Sequence, residues 1–335
     1  MKYLPLTLIL AVSLLIFFPQ FSQADTTGFL SGKTPRIVGG RDAETGKWPW
    51  MAALIEASDS SQFCGGSLIH PLWVVSAGHC GYDYRDNPEK IKIIIGINDL
   101  VNDKAEPIGV KQIIVHKDYD SENLYNDIAL FELERPVFEK TISIIPDDIE
   151  LEGKISTIIG WGETYAGQTT ILQEVSVPII SNLDCTKAFT AYNSYRYPPD
   201  SIDAAMLCAG LAEGGMDACY GDSGGPLMVQ YKNQWHLAGL VSWGEGCAMP
   251  DVYGVYTRVS KFFDFINTYV SPFPPGDFNE NMKLGLEDVI GILNSLALVR
   301  SEDLSLGIHG DFNNDNRLGL EDAVGVLQVI TNSYN

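Results

Sequence analysis

Between residues 37 and 270 the chain alternates short apolar runs with clusters of Gly, Pro, Asn and Asp. Ser67–Ile69, Ile91–Ile95, Ile113–Val115, Ile128–Leu133, Ile155–Ile159, Leu227–Gln230 and Leu237–Ser242 are each a few residues long. Runs of that length, with that punctuation, predict an all-β sandwich or barrel. The period changes over Val259–Tyr269, where Phe262, Phe263, Ile266 and Val270 fall on one side of a helix. Ser271-Pro-Phe-Pro-Pro-Gly276 then reads as a stiff, extended linker over 271–276. Beyond it the pattern repeats. Gly276–Asp288 matches Gly310–Asp322 at an offset of 34 residues, and each copy leads into a helical apolar run. Those runs carry Val289, Ile290, Leu293 and Leu296, then Val324, Leu327 and Ile330.

The first 24 residues follow a different rule. Lys2 precedes an apolar stretch from Leu4 to Phe18, and Ser22 and Ala24 are small residues at the −3 and −1 positions of a cleavage site. This is the form of an export signal, expected to be removed after Ala24. The stretch is short for a spanning helix, so no stable membrane insertion is expected after cleavage. Six cysteines behind such a signal predict disulfides, for which sequence alone permits 15 pairings.

The chain has 335 residues and a formal net charge of −21, with hydrophobic residues at 45%. That hydrophobic content fits a globular protein with a sizeable core. The acidity argues against nucleic-acid or anionic-membrane binding through a basic face. It is also uneven: residues 271–335 hold ten Asp/Glu against three Lys/Arg, a net of −7.

Three short segments carry the chemistry. Asp217-Ala-Cys-Tyr-Gly-Asp-Ser-Gly-Gly-Pro226 sets Ser223 among glycines and carboxylates. Ser76-Ala-Gly-His-Cys80 supplies His79, and Asn126-Asp-Ile-Ala-Leu130 supplies Asp127 within an apolar run. Peptide cleavage at neutral pH needs a nucleophile, a base to deprotonate it and a group orienting that base. The order His79, Asp127, Ser223 is that of the chymotrypsin-type triad. Residues 36–270 resemble a trypsin-like serine protease, whose fold is two antiparallel β-barrels with a C-terminal helix.

The resemblance implies Ser223 as nucleophile, His79 as general base and Asp127 as its orienting carboxylate, with no catalytic cofactor. It implies an oxyanion hole from the N–H groups of Gly221 and Ser223. Disulfides Cys64–Cys80, Cys185–Cys208 and Cys219–Cys247 are implied likewise. Asp217 matches the base of the primary pocket, Gly244 and Gly254 its walls, and Ser242-Trp243-Gly244 the segment that pairs with the peptide backbone. Substrates are therefore expected to be proteins or peptides cut after Arg or Lys. Ala218 stands where many trypsins carry a serine that helps solvate lysine, which favours Arg. Arg36-Ile-Val-Gly-Gly40 resembles an activation site. Cleavage after Arg36 would release a propeptide, 25–36, and let the new Ile37 amine pair with Asp222. The protease domain is then 37–270.

The C-terminal repeats, 277–335, resemble a dockerin-type module, an α-helical pair of EF-hand-like calcium loops. Calcium needs several oxygens delivered by a tight loop. Asp277, Asn279, Asn281, Lys283 (through its carbonyl) and Asp288 stand at loop positions 1, 3, 5, 7 and 12 of the first copy. Asp311, Asn313, Asp315, Arg317 (likewise) and Asp322 do so in the second. Leu284 and Leu318 supply the anchoring apolar residue. Met282 and Asn316 replace the glycine usual at position 6, and at the ligand positions the second loop has one more carboxylate than the first. Dockerins bind cohesin domains through positions 10 and 11, here Leu286–Glu287 and Leu320–Glu321. Together these features predict a secreted, zymogen-activated endopeptidase carrying a calcium-dependent docking module. The alternative is a calcium-dependent extracellular adhesion or scaffold protein whose protease-like domain does not catalyse.

Overall fold

The computed structural model describes residues 39–137, 139–163, 167, 169–271, 276–278, 283–298, 310–313 and 317–332. The export signal, the propeptide, Arg36, Ile37, Asn279, Asn281, Asp315 and most of the Pro-rich linker lie outside them. Apolar alternation builds two sets of antiparallel strands. The first is a closed barrel in the order β2-β3-β4-β7-β6-β5. Its strands are β2 (Met51–Glu56), β3 (Gln62–His70), β4 (Trp73–Ser76), β5 (Ile91–Ile95), β6 (Ile108–Val115) and β7 (Ala129–Leu133). Leu54, Leu68, Val75, Ile93 and Phe131 fill it without exposure.

The second set uses β9 (Ile155–Gly160), β10 (Gln173–Ile180), β11 (Met206–Ala209), β12 (Pro226–Tyr231), β13 (Gln234–Trp243) and β14 (Gly254–Arg258). The path β10-β11-β14-β13-β12-β9 returns on itself through the β9–β10 pairing, so this sheet also closes. Two short strands, β1 (Arg41–Asp42) and β8 (Ser143–Ile144), pair onto β10 and β13. Two antiparallel barrels therefore make up the body of the chain. After β14 a short 3-10 turn, Val259–Phe262, leads into helix α3 (Phe263–Tyr269), so the helical stretch expected over Val259–Tyr269 starts with a tighter turn.

Helix α2 (Asn182–Asn193) has no counterpart in the apolar pattern. Only Cys185 and Phe189 of its residues are buried, too few to mark a stripe. Its start is nonetheless written locally: the Ser181 hydroxyl accepts the Asp184 N–H, an N-cap. Three disulfides join Cys64 to Cys80, Cys185 to Cys208 and Cys219 to Cys247.

In the C-terminal repeats, α4 (Leu286–Leu298) and α5 (Leu320–Asn332) share a core of Val289, Ile292, Phe312, Leu318, Ala323 and Val326. Bare glycines admit the aromatic rings: a Cβ on Gly291 would lie 2.4 Å from Phe278, and one on Gly325 2.1 Å from Phe312. The two copies also cross. Gly276 sits against Val326 and Phe312, and Gly310 against Ile292 and Phe278. Ile290, Leu293, Val324 and Leu327, apolar at helical spacing, lie on the exposed side instead of in this core.

Candidate active site

Gly78–Gly81 forms a single helical turn, α1, directly after β4. That turn presents His79 to Asp127, which immediately precedes Ile128 and β7. The His79 Nδ1 and Asp127 Oδ2 are 2.9 Å apart, and the His79 backbone N–H donates to Asp127 Oδ1 at 2.8 Å. The Asp127 side chain is fully buried while the imidazole remains 26% exposed, so the ring reaches solvent that its partner does not. Two more hydrogen bonds hold the aspartate from the second barrel. The Ser242 hydroxyl donates to Asp127 Oδ2 at 2.5 Å, and the Thr257 hydroxyl to the Asp127 carbonyl at 2.6 Å. The sequence marks Ser242 only as part of a peptide-pairing segment and does not mark Thr257 at all.

Ser223 reaches this region through close backbone contact between the barrels. Its carbonyl accepts the Gly65 N–H at 2.7 Å. The next residue, Gly224, has φ +74, and a Cβ there would lie 2.0 Å from the Ser76 hydroxyl and 3.0 Å from the Ala77 nitrogen. Only glycine fits against the turn that carries His79. Gly221 also has a positive φ, +93.

Asp222 points the other way, into the second barrel, with no exposure. Its oxygens accept the N–H groups of Gly162 at 2.8 Å and Cys219 at 2.9 Å. Burial nevertheless pushes its carboxyl up to about 7. The hollow that holds it is made by two glycines: Cβ atoms on Gly160 and Gly162 would lie 2.0 Å and 2.5 Å from the carboxylate. The Gly160-Trp-Gly162 spacing is visible in the chain, but its meaning depends on what packs beside it.

Beside Ser223 opens a cavity of about 240 Å³. Asp217, Gly244 and Gly254 line it, with Ser242, Trp243 and Cys219. Asp217 is buried, and its Oδ2 accepts the Ala248 N–H at 3.2 Å. Its Oδ1 is enclosed without a hydrogen-bond partner among the described residues, as is the Tyr256 hydroxyl. Burial pushes the Asp217 carboxyl up to about 6, against the pull of N–H bonds from Ala248 and Ala218. A Cβ on Gly254 would stand 2.7 Å from Asp217 Oδ1, so glycine keeps the base of the cavity open.

Residues 37–266 match the family model for trypsin. The chain belongs to the trypsin family. It is a trypsin-like serine endopeptidase, a hydrolase that acts on proteins, which sets aside the non-catalytic scaffold reading. A trypsin domain with three disulfides is typical of extracellular proteins. No helix among the described residues is long and apolar enough to cross a membrane.

Outside the trypsin domain, Asp288 and Asp322 are buried at the starts of α4 and α5. Asp288 accepts the Gly285 N–H at 2.8 Å. Asp322 accepts those of Phe312, Asn313 and Gly319 at 2.8, 3.2 and 2.6 Å. Asp277 is also fully buried. Asp288 and Asp322 each serve the loop that precedes their own helix.

Proposed function

We propose that this chain is an exported precursor whose mature form cuts polypeptides after Arg, and less readily after Lys, through Ser223, His79 and Asp127. One observation carries the specificity: a buried carboxylate with an unpartnered oxygen at the base of a glycine-walled cavity beside the serine. Such an oxygen is costly until a cation meets it, and a guanidinium offers two parallel donors. Ala218 lines the same cavity without a hydroxyl, removing one means of solvating the shorter lysine.

In the reaction, Ser223 Oγ attacks the scissile carbonyl and passes its proton to His79. Asp127 keeps the imidazole oriented and stabilises its charged form. The Gly221 and Ser223 N–H groups take the developing oxyanion, each worth about 3 kcal/mol. His79 then protonates the leaving amine, and water releases the acyl group by the reverse sequence.

Activation is proposed to follow cleavage between Arg36 and Ile37. Asp222 is a buried carboxylate with only N–H partners among the described residues, and an ammonium would relieve it. Gly39 packs against the Gly215 carbonyl and Met216, near the pocket loop. From there two residues span at most about 7 Å.

The C-terminal repeats are proposed as a dockerin-like calcium module that docks on a cohesin-like partner. Two like helix starts with buried carboxylates support it. So do matching exposed stripes, Leu286, Ile290 and Leu293 on α4 and Leu320, Val324 and Leu327 on α5.

The test of the catalytic reading is burst release from an arginine ester by protein cleaved at Arg36. Ser223→Ala should abolish the burst and lower kcat on the order of a million-fold. Arginine should exceed lysine, and both should far exceed phenylalanine, in matched peptides. Equal turnover of all three would remove Asp217 from the assignment.

A further inference from the structure

We propose that Gln62 is a positioning residue for the oxyanion site, its side-chain amide holding the backbone of Gly221. The inference rests on the assignment of the Gly221 and Ser223 N–H groups as oxyanion donors. Gln62 opens β3 on the first barrel, and its Nε2–H donates to the Gly221 carbonyl at 2.8 Å. The acceptor is a carbonyl, so the amide must turn its NH2 toward it.

One residue earlier, the Glu163 N–H donates to the Tyr220 carbonyl at 2.6 Å. The C=O and N–H of one trans peptide point in opposite directions. That bond therefore turns the Gly221 N–H away from Glu163. The following peptide donates its own N–H, that of Asp222, to the Cys219 carbonyl at 3.0 Å, and its carbonyl is the one that Gln62 meets. It belongs to a glycine at φ +93, where a Cβ would lie 3.1 Å from the Gly162 Cα, so no side chain can stiffen the position from within. The Cys219 bond holds the N–H side of that peptide, and Gln62 holds its carbonyl side from the opposite barrel. With both carbonyls held, the intervening N–H keeps its direction while charge develops on the substrate, which is the preorganisation the step requires.

The bond lies in the wall of a cleft of about 510 Å³ that Tyr220 and Gly221 also line. Water there would replace part of what a lost amide supplied. The expected effect is accordingly on the order of ten-fold, not that of losing an oxyanion donor outright.

The experiment compares activated wild type with Gln62→Leu and with Gln62→Glu, which keeps the shape but offers no donor when ionised. The readouts are kcat and KM on an arginine ester, and affinities for two inhibitors. An arginine peptide aldehyde forms an oxyanion on Ser223; an arylamidine occupies only the Asp217 pocket. The proposal expects kcat and aldehyde affinity to fall together by about ten-fold, with amidine affinity and Tm unchanged. If Gln62→Leu melts early, the isosteric Gln62→Glu carries the comparison. Equal losses for aldehyde and amidine, or no loss for either, overturn the proposal. Wild type that shows no burst overturns the oxyanion assignment beneath it, and the proposal with it.

Discussion

Individual side chains here are set by what encloses them. Asp217 titrates near 6 because the pocket strips it of water and returns few hydrogen bonds. A folded-state value above the ordinary 3.8 means that ionising the empty pocket costs stability. That contribution is fully present at low pH and is lost as pH rises through about 6. An arylamidine restores it, because it binds the ionised form. Its affinity should therefore hold above pH 7 and weaken below 6, by up to about ten-fold per unit. Inhibition constants from pH 4 to 8 check this, and a flat profile would show that the cation does not meet Asp217. Ser242→Ala removes one O–H from the buried Asp127 carboxylate. It should lower kcat about ten-fold with little change in KM, measured on an ester substrate. The trypsin family was legible in the chain, because the segments around His79, Asp127 and Ser223 are short and distinctive. The hydrogen bonds of Ser242 and Thr257 to Asp127, and of Gln62 to Gly221, were not, since a hydroxyl or an amide suits most surfaces equally well.

Glycine contacts join the strand β3 and the turn after β4 to the segment that carries Ser223. Gly65, on β3, touches Ser223 and Gly225, while Gly224 lies against Ser76 and Ala77 at the end of β4. Gly224→Ala would meet both a positive φ and a Cβ 2.0 Å from the Ser76 hydroxyl. The expected cost is about 2–4 kcal/mol, with a Tm lower by roughly 5–15 °C and loss of most turnover. Gly153→Ala, at φ +75 with open space around it, serves as the control and should cost about 1 kcal/mol with activity intact. Calorimetry and ester hydrolysis on the two variants separate a packed seam from mere strain. Seven of the strands coincide with runs named from the sequence, because short β-branched runs between turn formers have few other uses, whereas β2, β4, β10, β11 and β14 coincide with none of them. Helix α2 was not readable, because its two buried positions follow no stripe and its capping serine resembles any loop serine.

For the whole molecule, charge and the appended repeats matter most. The calcium reading predicts that a chelator lowers the melting temperature of α4 and α5, followed by far-UV circular dichroism. Turnover of a small arginine ester should not change, because the ligands lie outside the catalytic domain. The loop ending in Asp322, with three carboxylates at the ligand positions to the other's two, should fill first in a titration. A melting profile indifferent to calcium would leave these helices as a self-contained pair, stabilised by their own aromatic and aliphatic core.

Sequence by itself determined the all-β character of the main body, the family of the catalytic centre, and the duplication at the C-terminal end. Each is written locally, as a period, a spacing of reactive residues or a repeated string. Tertiary structure alone decided which glycines are obligatory, which carboxylate lies unpaired at the floor of a cavity, and which distant hydroxyls and amides steady the reacting groups. Those properties depend on atoms that approach within a few ångströms across 31 to 159 positions of chain. Distances of that kind exist only once the two barrels have closed against each other.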